Sequence, residues 1–120
     1  MSPREMFQLT EDDQQLLLQI ARQAVRCYLS GQPPKLPEKR SGVLAEPHGV
    51  FVSIHKEHDL RGCIGNVNPT SALLRTVAEC AISAAVGDPR FMPLMAAELP
   101  EIHFEISVLS PMHTVRDISK

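Results

Sequence analysis

The chain of 120 residues is 43% hydrophobic and 22% charged, an ordinary balance for a globular protein, and its length supports one domain. A net charge of −2, with one Tyr, four Phe and no Trp, gives neither a basic surface nor a stacking platform, so nucleic-acid binding is set aside. No apolar run reaches the ~18–20 residues of a membrane span, Met1 to Thr10 lacks a signal-peptide core, and Cys27, Cys63 and Cys80 lack C-x-x-C spacing; a cytoplasmic protein without disulfides is expected.

The first predicted element is a helix over 11–30. Thr10 is its cap, with Asp13 where a capping box usually carries Glu or Gln, and Leu17, Ile20, Ala21, Ala24, Val25 and Tyr28 form one apolar stripe. Gly31 stops it, with Pro33 and Pro34 beyond. Residues 31–47, with four prolines and the run Glu38-Lys39-Arg40, read as a loop tying the helix to a sheet. A hairpin follows: Gly49 to His55 alternates, Lys56-Glu57-His58-Asp59 turns, and Leu60 to Gly65 returns. A second helix is expected over 71–86, introduced by Asn68-Pro69-Thr70 and ended by Gly87-Asp88-Pro89. A last strand over 102–109 alternates Ile102, Phe104, Ile106 and Val108 with His103, Glu105, Ser107 and Leu109. This order predicts a single α+β domain, with the helices on one face of a mainly antiparallel sheet.

If the helices cover Val50, Val52, Ile54, Leu60, Ile64, Phe104 and Ile106, the opposite face carries Ser53, His55, Arg61, Cys63, His103, Glu105 and Ser107. One reading of that set is a solvated sheet surface, common in antiparallel sheets. The other is a site centred on Arg61 and Cys63. Two apart on one strand, they point the same way, and a guanidinium beside a thiol favours the thiolate. On that alternation Glu105 is also expected to pair with Arg61. Gly62 and Gly65 leave room for a backbone or a ligand, and the Gly65-Asn66 turn before a helix N-terminus is a candidate anion site without a Walker signature. Cys63 taken alone reads as a small buried hydrophobe, as most free cysteines are.

Leu60-Arg61-Gly62-Cys63-Ile64-Gly65 resembles the hallmark of the AMMECR domain. Gly49-Val50-Phe51-Val52, Asp88-Pro89-Arg90-Phe91 and Glu105-Ile106-Ser107-Val108-Leu109-Ser110-Pro111 agree in order and spacing, so the resemblance covers residues 10–115. It implies an α/β domain with a larger and a smaller part and no secured reaction. Microbial members, called AmmeMemoRadiSam system protein A, are associated with a Memo-like protein and a radical-SAM protein. By match to the motif, Arg61, Gly62, Cys63 and Gly65 are the positions expected to matter, with Asp88, Arg90 and Glu105 next. Family domains usually run past the Leu-Ser-Pro stretch, whereas this sequence ends at Lys120; the reading is therefore the N-terminal part of the family domain, and an uncovered sheet edge or face would favour homo-oligomers.

Two function classes follow. The first is an accessory binding module, taking a small anionic ligand near Arg61, Gly62, Gly65, Asn66, Asp88, Arg90 and Glu105, with no cofactor. The second is a cysteine-dependent enzyme using Cys63, supported by Arg61, as nucleophile or redox thiol; His103 on the same face offers a Cys–His arrangement. His55-x-x-His58 beside Asp59 falls short of a zinc set, and no metal is assigned.

Overall fold

The structure is a computed structural model that describes residues 9–37, 42–109 and 112–117. The run Glu38-Lys39-Arg40, the N-terminal Met1 to Gln8 and the Ser110-Pro111 pair of the resemblance lie outside the described residues.

Helix α1 spans Glu11–Leu29. The Thr10 hydroxyl accepts the Asp13 amide at 3.0 Å and the Asp13 carboxylate accepts the Thr10 amide at 3.2 Å, so Asp13 serves the capping box in place of Glu. Glu11, Asp12 and Asp13 place negative charge on the positive end of the helix dipole. At the other end Gly31, at φ 75°, turns the chain left-handed while the Gln32 amide reaches back to the Cys27 carbonyl at 2.8 Å. The loop read as wholly irregular contains a 3-10 turn, Gly42–Ala45, that buries Val43 and Leu44.

Strands β1 (Val50–Lys56) and β2 (Asp59–Asn66) form the hairpin. Helix α2 spans Leu73–Val86, two residues later than expected, because Ala72 is its unassisted cap and the Leu73 amide is taken by the Glu46 carbonyl at 2.8 Å. A 3-10 segment, Ala96–Glu101, leads into β3 (Ile102–Leu109), and β4 (Met112–Arg116) returns beside it. The sheet is antiparallel throughout, in the order β2-β1-β3-β4. The expected α+β architecture is present, with β4 as an added strand: its polar sequence carries Val115 as its one described buried residue, too little for a period-two signal.

Both helices lie on one face. Helix α2 packs over β1 and β2, and α1 packs against α2 and β3. Val50, Val52, Ile54, Phe104, Ile106 and Val108 are essentially sealed beneath them. Burying such side chains stabilises the fold by about 1.5–3 kcal/mol each. Arg22 fastens the helical layer to the end of the sheet, donating to the Leu99 and Ile102 carbonyls at 2.8 Å each and to Asp117 at 3.3 Å, with its guanidinium over the Phe104 ring.

Candidate functional site

The register of the hairpin decides which motif residues can meet a ligand. Val52 pairs with Ile64, Ser53 with Cys63 and Ile54 with Gly62, but His55 pairs with Leu60, so Arg61 is an extra residue in a β-bulge. Without the bulge, the turn at Glu57-His58 would set Ile64 opposite Phe51 on the open face. With it, Ile64 lies against the core and Cys63 faces away from the helices. The correction falls on Leu60 and Arg61. Leu60, expected in the core, is 39% exposed. Arg61, expected beside Cys63 and Glu105, turns to the helix-side rim, where it shares Glu98 with Lys56.

That rim accounts for the guanidinium. Arg61 Nε and Nη2 donate to the two Glu98 oxygens at 3.0 and 3.1 Å, while Nη1 and Nη2 reach the Met92 and Pro93 carbonyls at 2.8 and 3.4 Å. Lys56 adds an ion pair to Glu98 at 3.2 Å. The hydrogen-bonded Arg61 pulls the Glu98 carboxyl down to about 2. Arg61 therefore pins the 92–98 loop, and few of its donors remain for an anion. Glu98 lay unnoticed in the sequence because its segment reads as a turn-rich connection.

The motif glycines are filled by the protein itself. A Cβ at Gly62 would sit 2.1 Å from the Ala84 carbonyl oxygen, so the absence of a side chain lets α2 rest directly on β2. A Cβ at Gly65 would meet the Phe51 ring at 2.1 Å, since that ring lies across the strand. The Asn66 side chain accepts the Asn68 amide at 3.1 Å and shapes the turn, while Glu46 holds part of the helix N-terminus expected to bind an anion.

Asp88 and Arg90 act on the motif from outside the sheet. Ser53 and Cys63 form a non-hydrogen-bonded pair, so the Cys63 main-chain groups point outward from edge strand β2. Asp88 accepts the Cys63 amide at 3.0 Å and Arg90 donates to the Cys63 carbonyl at 3.4 Å, standing in for a neighbouring strand. Asp88 is buried, and the hydrogen-bonded Arg90 beside it holds its carboxyl well below the usual carboxylate range. The Asp-Pro-Arg-Phe stretch and the Arg-Gly-Cys-Ile-Gly stretch are thus two halves of one clamp.

On the open face the Cys63 thiol accepts a hydrogen bond from the Ser53 hydroxyl at 3.2 Å. Across the sheet the row continues from Ser53 to Glu105 to Arg116, and Arg116 Nε is bonded to the Glu105 carboxylate. The next row sets His55 opposite His103, and His55 Nε2 lies 3.7 Å from Glu105. An open depression of about 290 Å³ is lined by His55, Glu57, His103, Glu105, Arg116 and Asp117. His103 is separated from Cys63 by β1, so no Cys–His pair forms. Among the described residues no group of three or more His, Cys, Asp or Glu is arranged to hold a metal ion, and no described helix is long and apolar enough to cross a membrane. Arg116, absent from the expected site, lies on the strand that alternation did not reveal.

The fold and these motifs have relatives. A protein of Methanothermobacter thermautotrophicus is 43% identical over 104 residues, 86% of this chain and 54% of the relative. A Methanopyrus kandleri protein is 45% identical over 109 residues, 86% of this chain and 51% of its own. The crystal structure of an uncharacterized Pyrococcus horikoshii protein superposes with a TM-score of 0.78 at 33% identity, covering 85% of this chain and 53% of that one. The chain thus spans about half the length of the relatives it matches. The AMMECR1 family model matches residues 18–120, and the chain belongs to the AMMECR1 family.

Proposed function

We propose that this chain is a binding module whose ligand lies on the open face of the sheet, with its polar head in the depression between His55, His103, Glu105 and Arg116 and its edge against Cys63. The observation that supports this most is the contrast between the two faces. One is sealed by α1 and α2, and the other gathers ionisable side chains from three strands around one depression, half-buried His55, His103 and Glu105 with exposed Arg116 at its margin. Arg116 and the imidazoles offer donors there, whereas the Arg61 donors are engaged by Glu98 and two carbonyls. The ligand is accordingly a small polar molecule met by Arg116 and the histidines, displaced from the Arg61–Asn66 position that spacing pointed to. The place beside Memo-like and radical-SAM proteins rests on the family resemblance alone.

A cysteine-dependent enzyme is the second reading. Its support is the Ser53 hydrogen bond to the thiol together with the Arg90 guanidinium, which reaches the Cys63 carbonyl. It ranks second because a nucleophilic cysteine needs a base within hydrogen-bond reach, and the group bonded to Cys63 is a hydroxyl. A fragment screen followed by amide chemical-shift mapping tests the first reading. Shifts should gather on Ser53, His55, His103, Glu105 and Arg116 and fall away in Arg116→Ala. Shifts centred on Gly65 to Leu73 would place the ligand elsewhere and defeat it.

A further inference from the structure

The groups that line the depression on the open face are unequally engaged. Its acids are paired: Glu105 accepts Arg116 Nε, and Asp117 holds Arg22 of the helical layer at 3.3 Å. Glu57, the remaining acid, stands exposed at the turn. The donors are in the opposite condition. Arg116 is bonded through Nε alone, which leaves Nη1 and Nη2 without a partner among the described residues. His55 Nε2 stands 3.7 Å from Glu105, beyond hydrogen-bond length, and His103 has no hydrogen bond among the described residues. The two imidazoles are register partners on β1 and β3, so their Cβ atoms lie about 5 Å apart on the same face.

We propose that the ligand is an anion, bound through a carboxylate or phosphate group; this rests on the depression being the ligand site. The Nη1–Nη2 edge of a guanidinium matches the paired oxygens of either group in a two-pronged hydrogen bond. Each imidazole adds an N–H donor for a further oxygen. Glu105 steadies the guanidinium through Nε, a nitrogen that such a fork does not use. A cationic ligand would meet the reverse arrangement. It would compete with Arg116 for Glu105 and with Arg22 for Asp117, while the imidazole N–H groups and the Arg116 edge gained nothing from it.

The experiment is an NMR titration of the 120-residue chain with inorganic phosphate, acetate, acetamide and methylammonium at fixed ionic strength. The signals followed are the His55 and His103 rings and Arg116 Nε–H. Acetate and acetamide share a shape and differ in charge, so the pair isolates the effect of charge. Phosphate or acetate should give saturable shifts at all three residues, and acetamide and methylammonium should not. Tighter phosphate assigns the head group as a phosphate, and tighter acetate as a carboxylate. Glu105→Gln keeps an acceptor for Nε and removes a negative charge, so anion affinity should rise about two- to fivefold, the worth of one exposed ion pair. Arg116→Gln should abolish the shifts. Saturable shifts from acetamide or methylammonium but not from the anions overturn the proposal and leave the ligand site standing. A titration in which no probe moves these signals removes the site and the proposal together. Weaker anion binding by a folded Glu105→Gln variant also overturns the proposal.

Discussion

Replacing Gly62 with alanine tests whether the motif is built for packing or for a ligand. The added methyl would lie 2.1 Å from the Ala84 carbonyl oxygen and 3.0 Å from its carbon, both main-chain atoms of α2 that no rotamer change can move. Close carbon–oxygen contacts settle near roughly 3.3 Å, so β2 and α2 must part by about 1 Å. Overpacking costs ~1–3 kcal/mol, and rigid backbone on both sides puts this case near the top of that range. Loss of glycine freedom in the unfolded chain offsets ~0.4–1 kcal/mol, leaving a net loss of about 2 kcal/mol. Melting should fall by about 8 °C, and a urea midpoint should drop by about 1 M with its slope unchanged. Gly65→Ala is the matched control. Its methyl would strike the Phe51 ring, a side chain 39% exposed and free to swing outward, so its cost should stay at or below ~1 kcal/mol. If Gly62→Ala were as stable as wild type, or less damaging than Gly65→Ala, the close-packing account of the motif would be refuted.

The remaining predictions concern charge and sulfur. Burial pushes the Cys80 thiol up to about 11, so alkylation mapped by peptide at pH 8 should find Cys63 modified well before Cys80; equal rates would refute the assignment. Arg61→Ala should cost about 2 kcal/mol through lost charged hydrogen bonds and leave the Cys63 alkylation rate unchanged, because the guanidinium is held by Glu98 and two carbonyls; a changed rate would place Arg61 beside the thiol. Glu98 has a folded value of about 2, below the ordinary carboxylate, so its stabilising contribution is complete above about pH 4.5 and is lost as pH falls toward 2. Glu98→Gln should flatten that acid limb of a stability–pH curve, and an unchanged limb would show that the pair with Arg61 does not hold the loop.

Much of this was legible in the residues. The capping box at Thr10, the stop at Gly31 and the alternation of 102–109 rest on local chemistry, and the elements lie where that chemistry puts them. Ser53, Cys63, His103 and Glu105 also fall on the open face as alternation requires. Arg61 and Leu60 do not, because a single extra residue reverses a side chain and leaves no mark on a pattern that alternates on both sides of it. The bulge could have been inferred only by demanding that a two-residue turn and a core-facing Ile64 hold together. The partners of Arg61 and Cys63 were hidden for another reason. Glu98, Asp88 and Arg90 reach them from loops 25 to 37 residues away, a separation no periodicity spans.

The strand order has a consequence for how the chain assembles. Strand β1 sits at the centre with a neighbour on each side, and the two neighbours reach it at very different times. β2 is joined to it by a two-residue turn, and α2 follows at once, so the hairpin and the helix that covers it form a local unit. β3 begins only after the whole of α2 and the 92–98 loop have been made, and must close a loop of about fifty residues to find Val50 and Ile54. That closure is the slow step expected of such a topology. Until it happens, the unit offers its unpaired β1 edge to any neighbouring chain, and Arg22 cannot engage the Ile102 carbonyl on a strand that has not yet arrived.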